Sequence, residues 1–238
     1  MKYAAYLLIF LMFLAGCNST PATPTSVPAT PTPPPPTSTI PLPTFTEPTP
    51  FQEDFDAVLQ PGWTWNAEHV PSLDLSTTPG FLHYVLQNDP YELVLLRDPG
   101  SSDFEISTHV LFEPTSKFEF AGLIVFVDPQ TVASFGRLFC DIPGGCVGNG
   151  IYFEGAQDGK YVGPNLGTVT DVKNEAWLRL TKAGTLFTAY YSSDGQDWTL
   201  IGTHEFDFVN PKVGIRASAT TTTGTVADFD FFTILNKP

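Results

Sequence analysis

Basic residues are scarce. Eleven Lys and Arg stand against 25 Asp and Glu, a net charge of −14 in 238 residues. Apart from Lys2, all the basic residues fall after position 50, where 24 of the acids also lie. An acidic surface repels phosphate backbones, which excludes nucleic acid as a partner and disfavours anionic lipid surfaces. Long apolar runs are also missing. The longest, Ala4 to Ala15, is 12 residues, and a membrane-spanning helix needs roughly 20. From Phe51 onward no helical periodicity extends beyond two turns. The four histidines, His69, His83, His109 and His204, fall in no H-x-x-H or H-E-x-x-H frame, so the zinc-hydrolase pattern is absent. Each reads as a surface or packed histidine. No nucleophile-elbow serine occurs. There are only three cysteines.

What is present begins with a charged start, an apolar run and small residues over 1–16, the plan of a secretory signal peptide. "LAGC" at 14–17 resembles the bacterial lipobox. That resemblance implies a diacylglycerol thioether on Cys17, which becomes the first residue of the mature chain, and places the protein in the bacterial cell envelope, extracytoplasmic and lipid-anchored. Acyl chains contribute about 0.8 kcal/mol per buried methylene. Asn18 follows, not the aspartate that resembles an inner-membrane retention signal.

With Cys17 lipidated, Cys140 and Cys146 remain as an even pair. They flank Pro143, Gly144 and Gly145, a turn that would bring them together. Export permits oxidation, and closing so short a loop would stabilise by about 2 kcal/mol at most. Metal ligation competes, but no histidine or further cysteine lies near, so a disulfide is expected.

Between Thr20 and Pro50, 22 of 31 residues are Pro or Thr. Such a segment has too few large apolar groups for a core and favours extended polyproline II. At about 3.1 Å per residue it would reach roughly 100 Å. Residues 17–50 therefore read as a lipidated cysteine plus a disordered Pro/Thr-rich linker.

Residues 51–238 read as one all-β domain. Alternating runs at 80–87, 91–97, 103–112, 118–127, 133–139, 150–155, 176–182, 186–193, 212–218 and 226–234 are rich in β-branched and aromatic residues and are punctuated by Gly, Pro and Asp. Ten or more short strands predict a sandwich of two sheets. A turn at Ala183-Gly184 would place Leu180 opposite Phe187 and Leu178 opposite Ala189 on the core side, with Arg179 facing Thr188 and Trp177 facing Tyr190 on the other. "YYSSDGQDW" makes the next turn, with Tyr191 opposite Trp198 on the core side. Its Asp-Gly pair is similar to a sialidase Asp-box at altered spacing, and a turn needing positive φ accounts for it.

In order, "FQEDFD" with "PGWTW", "TPGFLHYVL", "SSDFEISTHVLFEP", "FAGLIVFVD", "AWLRLTKAGTLFTAYYSSDGQDWTLIG", "PKVGIRAS" and "ADFDFF" resemble the concanavalin A-like sandwich of the family named for regulation of enolase, related to the C-terminal sandwich of family 43 β-xylosidases. The resemblance implies a jelly-roll of two curved antiparallel sheets, a scaffold shared by lectins, carbohydrate-binding modules and some glycosidases; fold alone does not choose among them. Here the linker and LAGC stand where a catalytic propeller would, so no accessory role to a catalytic domain in the same chain is expected. The Cys140–Cys146 insert has no match in the family pattern.

The paired carboxylates of E-x-D-x-x-E, which laminarinase-type glucanases on this fold use as nucleophile and acid, are absent. Glu105 is followed by Ile106 and Ser107, and Glu119 by Phe120 and Ala121. No enzyme is expected. Sugars stack on aromatic rings and satisfy their hydroxyls with polar side chains. Trp177, Arg179 and Tyr190 share a face, and Arg216 alternates outward from Val213, Ile215 and Ala217, so these four are the candidate ligand platform. The competing reading has Trp177 and Tyr190 packed under a loop and the arginines paired with acids. Sandwiches of this kind also hold one structural Ca²⁺ near the paired chain ends. Glu53, Asp54, Asp228 and Asp230 are candidate ligands for it, although acids on a solvated edge are ordinary.

The expectation is a lipid-anchored, non-catalytic sandwich binding a glycan or cell-surface polysaccharide. A protein-binding or structural envelope module is the alternative. A glycoside-acting enzyme comes third, because a hydrolase of oxidised disaccharides is known among distant jelly-roll relatives.

Overall fold

The computed structural model describes residues 50–66, 73–88, 93–140, 148–163, 166–169, 174–221 and 223–237. Cys17, the Pro/Thr-rich linker, His69 and Cys146 lie outside the described residues. Among the described residues there are fifteen strands and no helix. The strands are β1 (Phe51–Glu53), β2 (Thr64–Trp65), β3 (Leu82–Val85), β4 (Leu93–Arg97), β5 (Phe104–Phe112), β6 (Phe120–Asp128), β7 (Thr131–Phe139), β8 (Asn149–Gln157), β9 (Lys160–Tyr161), β10 (Leu166–Val169), β11 (Glu175–Ala183), β12 (Leu186–Ser192), β13 (Thr199–Glu205), β14 (Lys212–Ser218) and β15 (Val226–Asn236).

They form two antiparallel sheets. The first runs β1-β15-β5-β11-β12-β13, with β3 also on β15; the second runs β10-β8-β7-β6-β14-β4-β2, with β9 on β8. The first and last strands of the domain lie side by side, Phe51 opposite Ile234. Alternate residues of each strand point inward. Phe104, Ile106, Val110 and Phe112 of β5 and Leu178 and Leu180 of β11 meet Leu123, Val125, Phe135, Ile151, Phe153, Val213 and Ile215 of the second sheet in one core. Each such side chain contributes about 1.5–3 kcal/mol on leaving water, and this offsets the ordering of so many short strands.

All ten expected runs are strands, within one to three residues at most ends. Three local expectations are corrected. First, Ala183 pairs with Leu186, so the β11–β12 turn is Gly184-Thr185, with Gly184 at φ 58°, the sign that the first position of a II′ turn needs. Arg179 then faces Tyr190, and Trp177 faces Ser192. This two-residue slip leaves every side chain on its expected face because the side-chain period is two. Second, a bulge between Ala189 and Tyr190 puts Thr199, not Trp198, opposite Tyr191, and Trp198 lies under Arg179 instead of in the core. Third, the regular alternation expected over 226–234 is broken, because Asp230 is the extra residue of a bulge between Phe229 and Phe231. Beyond it the inward residue is Phe232, fully buried, while Phe231 is only half-buried.

Candidate ligand-binding surfaces

Trp177, Arg179 and Tyr190 lie on the outer face of the first sheet, because β11 and β12 send Ala176, Leu178, Leu180, Phe187 and Ala189 inward. The surfaces of Trp177 and Arg179 are engaged by their own neighbours. The Trp177 ring lies 3.8 Å from that of His109 and 8° from parallel to it. The 193–197 turn closes against the same indole: a Cβ on Gly195 would sit 3.0 Å from its Cδ1 and Nε1. His109 is in turn bracketed by acids, with Nδ1 3.0 Å from Asp230 Oδ2 and Nε2 3.4 Å from Glu175 Oε2. The Arg179 guanidinium lies 3.7 Å over the Trp198 ring, with Nε 3.6 Å from Glu105 Oε1. A sugar would need an open ring face, and Trp177 is already packed between a histidine and a turn.

The turn is itself fastened. Asp194 Oδ1 accepts from the backbone of Gln196 and Asp197 and from Ser192 Oγ, and Ser192 Oγ accepts from Gly195 N. Hydrogen bonds from Asp197 N, then Gln196 N and Ser192, hold the Asp194 carboxyl below its ordinary pKa. Gly195 has φ 74°, as expected of an Asp-Gly turn.

Arg216 does not join this platform. Its strand, β14, belongs to the second sheet, so the two arginines face opposite sides of the sandwich. Arg216 Nη1 donates to Ser134 Oγ at 3.2 Å, and its guanidinium lies 5.3 Å from the Phe120 ring. Outward alternation was legible along the strand; the sheet to which β14 belongs was not.

Glu53, Asp54, Asp228 and Asp230 are not brought into one cluster. Glu53 is buried and accepts from Phe55 N, Gln60 N and Trp63 Nε1, fastening the domain's first loop. Asp54 is exposed and accepts from Gln52 Nε2. Asp228 meets His83 Nδ1 at 2.7 Å, and Asp230 meets His109. No group of three or more His, Cys, Asp or Glu gathers as a metal site among the described residues. Cys140 is buried beside Phe120, Leu138 and Tyr152; Cys146 lies outside the described residues.

One end of the sandwich offers a different surface. The β4–β5 loop (Asp98, Pro99, Gly100, Ser101, Ser102) and the β13–β14 loop (Phe208, Asn210, Pro211), with Lys182 and Lys212, enclose a groove of about 440 Å³. That volume is within the range of small-molecule sites. Phe208 forms part of its wall and is held by rings beneath: 4.8 Å to Phe206, 5.5 Å to Phe187. Asn210 has φ 49°, and its amide makes no hydrogen bond among the described residues. Lys182, on the inward side of β11, emerges where the core ends and donates to Ser102 O at 2.8 Å. No sequence pattern marked this groove, because its two loops lie more than 100 residues apart in the chain.

Residues 52–235 match the β-xylosidase C-terminal concanavalin A-like domain. The chain belongs to that family. Structures similar to this β-xylosidase-type sandwich include the family 43 protein BlXynB of Bacillus licheniformis (TM-score 0.66, 19% identity, 78% of this chain and 39% of that one). The xylan β-1,4-xylosidase of Bacillus halodurans is similar too (0.66, 20%, 80% and 40%). So is the exoplasmic/lumenal domain of VIP36, solved with Ca²⁺ and Man3GlcNAc bound (0.56, 11%, 79% and 89%). The chain spans about two fifths of the length of the β-xylosidases it matches, and the family match is to their C-terminal sandwich domain. The sequence matches no curated protein.

Proposed function

We propose that this protein is a non-catalytic carbohydrate-binding module, held on the outer side of a bacterial membrane by lipid on Cys17 and presented on the Pro/Thr-rich linker. The observation that carries the reading is the end groove, where Pro99, Pro211 and the edge of the buried Phe208 ring line one cavity with the Asn210 amide, the Ser102 hydroxyl and two lysine ammonium groups. An apolar wall for a pyranose C–H face and a few convergent polar groups is the composition of a sugar site. The Man3GlcNAc bound in the VIP36 structure supports the reading at the level of the fold. The Cys140–Cys146 disulfide belongs to the same proposal, since it requires an exported chain.

The test is a glycan array probed with the full-length protein in detergent, followed by titration calorimetry on the hits. Binding of one polysaccharide class, weakened by Asn210→Ala, is the expected result; no binding to any plant or bacterial glycan would overturn the reading. Mass spectrometry of the mature N-terminus should find a diacylated Cys17, and an unmodified cysteine removes the anchor. A protein-docking role is the second reading, favoured by the exposure of Leu186 and Leu200 on the outer face of the first sheet.

A further inference from the structure

The groove has a charge pattern unlike that of the chain as a whole. Two lysines line it, in a protein with 25 acids and 11 basic residues. Lys182 is 7% exposed and uses one of its three N–H groups on Ser102 O. Its Nζ stands 3.8 Å from Asp103 Oδ1, beyond hydrogen-bond reach. Lys212, at the start of β14, is exposed, lies 3.3 Å from Thr64 Oγ1, and has no carboxylate partner among the described residues. The acids nearby are already tied to backbone: Asp98, which lines the groove, accepts from Gly100 N at 2.7 Å, and Asp103 accepts from Gly184 N at 2.9 Å.

The groups left over are therefore mainly donors: the Lys212 ammonium, the remaining N–H groups of Lys182, the Asn210 amide and the Ser102 hydroxyl. A neutral sugar, whose hydroxyls donate as readily as they accept, leaves such a set partly unmatched. A carboxylate, which only accepts, matches it and gains charge-assisted bonds. Lys182 is ion-paired with Asp103, so Lys212 is the groove cation without a carboxylate partner among the described residues, and one such charge suits a single negative charge better than a polyphosphate.

We propose that the groove takes the carboxylate of an acidic sugar, a uronic acid residue, with Lys212 as its charged partner, Lys182 and Asn210 as further donors, and the pyranose ring against Pro99 and Pro211. This rests on the glycan-binding reading and narrows it to acidic glycans.

The test is calorimetry of the full-length protein in detergent with trigalacturonate, trimannuronate and a glucuronic-acid-bearing xylotetraose. Each is compared with its methyl ester, which keeps the shape and removes the charge. At least one acid should bind roughly tenfold tighter than its ester, the worth of one charged hydrogen bond. That advantage should vanish in Lys212→Gln and shrink at 0.5 M salt. It should persist in Lys160→Gln, which removes the same charge from the exposed β9 strand. Sodium acetate at the same concentration should not compete.

Acid and ester binding alike, or neutral array hits with no uronate bound, would overturn the acidic specificity and leave the glycan reading standing. An acid preference that survives Lys212→Gln would move the site elsewhere. Competition by acetate would make it a small-anion site. Failure to bind any sugar, charged or neutral, would remove both readings together.

Discussion

The outer face of the first sheet and the groove at the end of the sandwich hold similar chemistry, rings beside cations and polar groups, with opposite consequences. On the face, Trp177 is stacked on His109, Arg179 on Trp198, and the charges are paired with Glu105, Glu175 and Asp230. In the groove, two prolines line a cavity, and Lys212 and Asn210 have no acid or amide partner among the described residues. Recognition needs donors and ring faces that folding has not already engaged. On the proposed reading the face serves stability and the groove a ligand, and substitutions should separate the two.

The largest effect is expected at Trp177. Trp177→Ala removes a ring stacked on His109 and packed under the 193–197 turn, and should cost about 2–3 kcal/mol in urea unfolding, below the range for fully buried tryptophan. Glycan affinity should stay unchanged; a parallel loss of affinity would return the binding site to this face. Gly195→Ala forces a side chain to φ 74° and against the Trp177 indole, and should cost about 1–2 kcal/mol by the same measurement. In the groove the pattern should reverse. Asn210→Ala should cost no more than about 1 kcal/mol in unfolding, because Ala tolerates the φ of 49° less well than Asn, while calorimetry reads a loss of glycan affinity of roughly fivefold.

The smallest effect concerns the support of the groove wall. His204 lies 4.8 Å from the Phe153 ring and 5.6 Å from Phe206, which stacks on Phe208. Burial lowers the His204 pKa, against the opposing contact of its Nε2 with Phe153 O. The folded protein therefore resists the proton that the unfolded chain accepts near pH 6.5, so stability is lost as pH falls through that value toward the lower folded pKa. The denaturation midpoint should drop between pH 7 and pH 5.5, and His204→Phe should flatten that dependence. An equal drop in the variant would assign it to other groups.

Strand identity was legible where alternation was regular, as in "FEISTHVLF" and "AWLRLTKA", because period two maps directly onto inside and outside. β1, β2, β9 and β10, of two to four residues, are too short to show a period, and the β13 pattern is broken by its bulge. The burial of Phe232 was not legible for a related reason. "DFDFF" alternates cleanly on paper, but the bulge at Asp230 shifts the phase by one residue, and pairing with β5 alone reveals it. Of the expected platform, Trp177, Arg179 and Tyr190 were placed together correctly by the hairpin; Arg216 was not, since alternation says which way a side chain points from its sheet but not which sheet holds it.

By itself the sequence determined an all-β domain, its approximate strands, its family likeness and its acidic character, because these follow from composition and local period. Tertiary structure alone decided which rings were already stacked, which acids were already hydrogen-bonded, and that Lys182 and Lys212, 30 positions apart, line the same groove. Availability for binding depends on long-range neighbours: a side chain's chemistry is written at its own position, but what remains of its bonding capacity is set by residues a hundred positions away.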